Sequence, residues 1–80
     1  MRFSPFGENI TARRLSDPMS TDCVSIMEAV DVGSMVRPSH GRMLVAGDRF
    51  AAIIATPLPG GDLFVVHADH VVAFVDGATP

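Results

Sequence analysis

Side chains able to do chemistry are few in this sequence, and the densest group is His67-Ala68-Asp69-His70, with His40 the remaining histidine. Two imidazoles and a carboxylate can hold a divalent metal if they converge on one point. The tetrad falls between two apolar runs, however, where Asp and His are ordinary polar turn residues. The turn reading outweighs the metal reading, and no metal site is expected. Cys23 is the lone cysteine. It has no partner for an internal disulfide and no metal-spaced companion, which fits a reducing compartment. As a nucleophile it needs a base, and nothing in the sequence places His40, His67 or His70 beside it. A small buried or interface thiol is the plainer reading.

The remaining candidates fare no better. Gly60-Gly61 follows Pro57-Leu58-Pro59 between two apolar runs and lacks the helix that a phosphate-binding loop requires, so it is turn chemistry. With no lysine in the chain, Schiff-base and lysine-nucleophile chemistry are excluded. The basic residues are Arg2, Arg13, Arg14, Arg37, Arg42 and Arg49, scattered over a chain of net charge −3, and they form no basic stripe for nucleic acid. Arg13-Arg14 is the one adjacent pair and reads as a solvated strand edge. The five methionines are dispersed and fill space. Neither an enzyme nor a cofactor is expected.

The elements that would position any site lie mostly in the last third. Asp48 to Ala55, Asp62 to His67 and Val71 to Val75 are short apolar runs rich in Val, Ile and Phe, bounded by turn residues. Such runs predict strands, since β-branched residues at this density and runs this short do not suit helices. These strands are expected to supply most of the core. The Pro/Gly stretch from Thr56 to Gly61 predicts a turn, and Ala46-Gly47-Asp48 a tight turn into a strand.

Upstream, Asn9 to Leu15 alternates loosely and predicts a half-exposed strand. Residues 1–7, with Phe3 and Phe6 around Pro5, read as an anchored entry segment, and 76–80 as a polar tail. Ser16 to Asp22 is a loop by composition, with Pro18 holding Asp17 extended. Cys23 to Val30 is ambiguous. Cys23, Ile26, Met27 and Val30 make a helical stripe with Ser20 or Thr21 as a cap, whereas Val24, Ile26 and Val30 share a face in a strand. Local pattern slightly favours the helix.

Eighty residues make a single domain, 1–80, near the lower limit for a self-sufficient core. A hydrophobic content of 48% is high for that size and suggests that another subunit covers apolar surface. No apolar core of a signal peptide and no membrane-length run is present. A soluble, cytoplasmic chain with no membrane partner is the expectation.

Taken in order, the segments resemble the GroES-type co-chaperonin family. Arg2 to Arg14 is similar to the family's opening strand after a proline, and Glu28-Ala29-Val30-Asp31-Val32-Gly33 to its middle strand. Ala46-Gly47-Asp48-Arg49-Phe50 resembles its Val-Gly-Asp-Arg-Val turn, and Asp62 to Val75 its acidic turn and final strand. The resemblance implies an all-β fold, a small GroES-like β-barrel with a roof hairpin over Ser34 to Leu44 and little or no helix. It therefore turns Cys23 to Val30 into a strand. It also implies self-assembly, with the opening strand of one subunit against the last strand of the next. The interface residues would be Phe3, Pro5 and Phe6 on one side and Val72, Phe74 and Val75 on the other.

One departure bears on function. The family's long mobile loop carries a glycine pair and an aliphatic tripeptide that docks on a chaperonin. Here Ser16 to Asp22 has no glycine and no such triplet. The expected function is thus a non-enzymatic structural or assembly protein, a cap or decoration subunit of a larger assembly such as a phage virion. The alternative is a divergent co-chaperonin, phage-encoded forms included, that caps a chaperonin ring through the short loop 16–24, with Pro18, Met19 and Val24 making contact.

Overall fold

A computed structural model of the chain describes residues 3–15, 24–38 and 42–75. Six strands form one antiparallel sheet: β1 (Asn9–Arg14), β2 (Ser25–Val32), β3 (Arg49–Ala52), β4 (Thr56–Pro57), β5 (Leu63–His67) and β6 (Val71–Phe74), in the order β4-β5-β1-β2-β3-β6. The one helical piece among the described residues is a 3-10 turn, Ala68–His70, so the fold is all-β as expected.

This sheet has to curl. β5 and β6 stand four strand positions apart, ~19 Å in a flat sheet at ~4.8 Å per strand. The path from His67 to Val71 covers four residue steps and reaches at most ~14 Å. The sheet therefore wraps until its two flanks meet across the 3-10 turn. That turn is stitched to both flanks: Ala68 N–H donates to Glu8 C=O at 2.8 Å, and Ile53 N–H donates to His70 C=O at 3.1 Å. Register shifts at Thr11/Ala12 and at Ala51/Ala52 supply local bending, since a bulge adds twist and tilts the strand it sits in. The Cα radius of gyration of 11.8 Å agrees with the ~11.6 Å expected for a compact chain of this length.

Inside the curl, alternation places Ser25, Met27 and Ala29 of β2 inward and Ile26 and Glu28 half-exposed. From Ser25 onward the ambiguous segment is thus a strand, as the family resemblance implies and against the local helical stripe, while Cys23 lies outside the described residues. Pairing on both sides, with β1 and with β3, decides the matter, because tertiary partners override weak propensity. β1 departs from the half-exposed strand predicted for it. Ile10, Thr11 and Ala12 are consecutive and all buried, with Ile10 and Ala12 facing the core and Thr11 covered from outside.

The prediction that the last third supplies most of the core is also corrected. Six of the nine buried residues of the core cluster (Ile10, Ala12, Met27, Ala29, Val36 and Leu44) precede Asp48. Alanines and one methionine at alternating positions make no conspicuous apolar run, yet they let the sheet walls approach closely. The run Asp48 to Ala55 yields a strand only over Arg49–Ala52, and Ile53 and Ile54 stay 44% and 52% exposed. Within the expected turn Thr56 to Gly61, Thr56–Pro57 pairs with Val65 and Phe64, and the reversal follows it. Gly60 and Gly61 have φ of 106° and 100°, backbone that a side chain would strain.

Over the segment expected as a roof hairpin, the described residues 34–38 and 42–44 hold no strand beyond an isolated bridge at Arg42. Val36 and Leu44 turn down into the core instead, 5% and 4% exposed. They close the end of the curled sheet marked by the N-terminus of β1 and the C-terminus of β2. Here Gly33 N–H donates to Asn9 C=O and Met35 N–H to Gly7 C=O. A Cβ on Gly33 would sit 2.5 Å from Gly7 O, so this close backbone approach requires glycine.

Candidate interaction surface

The outer face of β1 and β5 is the first half of the candidate surface. Thr11 and Val65 are directly paired across these strands, and Phe3, Pro5, Phe6 and Leu58 rise around them to form an open apolar groove of about 180 Å³. Thr11 is 2% exposed at the floor, whereas Phe6 is 81% exposed at the rim. A second depression of about 300 Å³ runs on from Phe3 to Arg13, Asp62 and Leu63. The entry segment is positioned by Asn9, whose backbone N–H and side-chain Nδ2 both donate to Phe6 C=O, at 3.3 and 3.0 Å. The three predicted interface residues of the N-terminal side therefore lie together.

The other predicted half lies on the opposite flank. Among the described residues β6 ends the sheet order and pairs only with β3. Val72 is 44% exposed, Phe74 packs against the core cluster, and Val75 N–H donates to Arg49 C=O. None of these three lines the groove of the N-terminal side. Phe74 carries the Arg42 guanidinium over its ring at 4.3 Å, and Arg42 Nη2 donates to Asp48 Oδ1 at 3.0 Å. Asp48 Oδ2 also accepts the Val45 N–H at 2.9 Å, which fixes the Gly-Asp turn read from sequence.

The histidine tetrad resolves into a cap. His67 Nδ1 accepts the Asp69 N–H at 3.0 Å, holding the 3-10 turn, and the His67 and His70 rings stand 5.8 Å apart. No three metal-type side chains converge among the described residues. Of the expected partner loop, Val24 is half-buried just before β2, while Pro18 and Met19 lie outside the described residues, as do Cys23 and His40. Among the described residues no helix is long and apolar enough to cross a membrane.

The reading of Arg13-Arg14 as a solvated strand edge holds for Arg13, which is exposed, and is corrected for Arg14, which is half-buried with its Nε out of water. A second guanidinium, of Arg14, lies over the Phe64 ring at 4.4 Å. Arg14 and Phe64 are fifty positions apart, and their meeting depends on the β1–β5 register, which no local pattern announces. No protein-family model and no curated protein matches this chain.

Proposed function

We propose that this protein is a non-enzymatic assembly subunit that builds a homo-oligomer and caps or decorates a larger particle, a virion among them. The observation that carries the reading is a pair of separate surfaces, drawn from the two ends of the sheet order. One is the open groove walled by Phe3, Pro5 and Phe6; the other is the terminal strand β6 with Val72 exposed. A strand at a sheet edge offers backbone donors and acceptors to another chain, and an apolar groove accepts its side chains. Two different patches joining head to tail make rings when the rotation closes, the arrangement that a GroES-like subunit uses.

The test is solution assembly of the wild-type chain against Val72→Asp. Phe74→Asp confounds assembly with folding, because Phe74 packs on the core. Val72 is exposed, so its aspartate variant keeps the fold. Light scattering is expected to show an oligomer for the wild type and a monomer for Val72→Asp, with superimposable far-ultraviolet circular dichroism. A variant that assembles like the wild type removes β6 from the interface. Nucleotide-dependent co-sedimentation with a chaperonin double ring would instead favour the co-chaperonin reading through loop 16–24.

A further inference from the structure

We infer that Met35 and Met43 are a paired site of reversible oxidation by peroxides, at the end of the sheet closed by Val36 and Leu44, and that the fold shields Met27 from the same reaction. One arrangement is used twice there. In Met35-Val36 and again in Met43-Leu44, a methionine is followed by an aliphatic residue that seals the core. Val36 and Leu44 are 5% and 4% exposed, whereas Met35 and Met43 are 62% and 49% exposed. The backbone beside both methionines is pinned. Met35 N–H donates to Gly7 C=O at 2.9 Å, and Val36 N–H to Gly33 C=O at 3.3 Å. Around Met43, Arg42 Nη2 and Val45 N–H both donate to the Asp48 carboxylate, at 3.0 and 2.9 Å. Exposure of the two thioethers is thus a property of the folded chain and needs no opening of it.

Met27 is the internal contrast, and of the three described methionines it alone fills core space. It is 0% exposed on β2, paired with Arg14 of β1 on one side and Phe50 of β3 on the other. Reaching its sulfur requires strands to separate. In the reaction a thioether sulfur attacks one peroxide oxygen and the O–O bond breaks. The other oxygen takes up the proton and leaves as water or an alcohol; sulfur is oxidised by two electrons and the peroxide reduced. The product is a polar sulfoxide, which a dithiol-dependent reductase returns to the thioether with release of water. At Met35 and Met43 the new S=O group stands in water and the fold tolerates it. With Val45, 54% exposed, these methionines give the closed end an apolar surface, which peroxide turns polar without unfolding. Neither methionine lines the groove or lies in β6, so the inference is independent of the assembly reading and survives its failure.

The experiment treats the full chain with dilute hydrogen peroxide and follows each methionine by peptide mass mapping, with acetyl-methionine-amide as the exposed reference. Met35 and Met43 are expected to oxidise within about threefold of the reference, and Met27 at least about tenfold more slowly. The oxidised chain is expected to keep its urea midpoint and to elute earlier from a hydrophobic-interaction column. The two epimer-specific methionine sulfoxide reductases, with dithiothreitol, are expected to restore both the masses and the elution. In the Met35→Leu, Met43→Leu double variant, which retains Met1, Met19 and Cys23, most of the elution shift is expected to vanish. An equal shift in that variant places the polarity change elsewhere and overturns the site. Protection of Met35 or Met43 to the level of Met27 removes that residue from the pair. Oxidation of Met27 in step with them, or a lowered midpoint, shows that the reaction proceeds through an opened core and ends the proposal.

Discussion

The two ends of the curled sheet are built from the same parts and finished differently. At one end Val36 and Leu44 fill the mouth, and Phe74 carries Arg42, which Asp48 holds at 3.0 Å. At the other, Phe64 carries Arg14, and the buried Nε of that arginine has no acceptor among the described residues. A cation over an aromatic face contributes ~0.5–1 kcal/mol at exposed sites and more when desolvated, so both stacks gain on that account. The carboxylate makes the difference. It accepts from Arg42 Nη2, on a side chain 39% exposed, whereas a buried donor without an acceptor, as Arg14 Nε is, costs ~1–3 kcal/mol. Among the described residues, one end therefore carries its acid and the other does not.

The largest way to break the comparison is Phe74→Ala. This ring packs on the core cluster and supports Arg42 at once, so its loss opens a cavity and removes the platform. Truncating a buried Phe costs ~3–5 kcal/mol, and for a half-buried one about 3 kcal/mol is expected, read as a lower urea midpoint. Asp48→Ala comes next. Its carboxylate accepts from both Arg42 Nη2 and Val45 N–H, with its side chain 18% exposed. Hydrogen bonds to a charged group are worth ~1.5–3 kcal/mol, and partial exposure brings the expected loss to about 2 kcal/mol in the same measurement. This variant turns the finished end into a copy of the unfinished one. If it is instead neutral, a stacked arginine tolerates having no acid, and the contrast between the ends loses its energetic meaning.

The legibility of the fold follows the range of the interactions involved. Short β-rich runs, the paired glycines after Pro59 and the Gly-Asp turn were readable, because each is decided within a few residues. Boundaries were less so: β3 stops at Ala52 although Ile53 and Ile54 continue the apolar run, since the chain leaves the sheet where Ile53 N–H meets His70 C=O. The identity of the core was misjudged because Ala12, Ala29 and Met27 become core only when three strands are brought into register. Segment 25–32 was settled by its neighbours and not by its own pattern. Of the candidate surface, Phe3, Pro5 and Phe6 could be grouped from sequence, being adjacent. Their groove depends on Thr11, Leu58 and Val65, which reach it from three separate segments.

The smallest predicted effect is the sharpest control on the unfinished end. Arg13 neighbours Arg14, carries the same charge and has a partner, Glu28 Oε1 at 3.3 Å, but it projects to the opposite face with its side chain 55% exposed. Solvent screens such a pair and its long side chains lose rotamer freedom to form it, so it contributes ~0–0.5 kcal/mol. Arg13→Ala is accordingly expected to leave the urea midpoint within error, while Arg14→Met moves it upward. Adjacent arginines, of which one has an acid and the other none among the described residues, thus have effects opposite to what counting salt bridges suggests. The paired one is dispensable in water, and the unpaired one is costly because its Nε is out of water. Equal midpoints for the two variants would mean that solvent reaches Arg14 as freely as Arg13, and the second end of the sheet would then be open rather than incomplete.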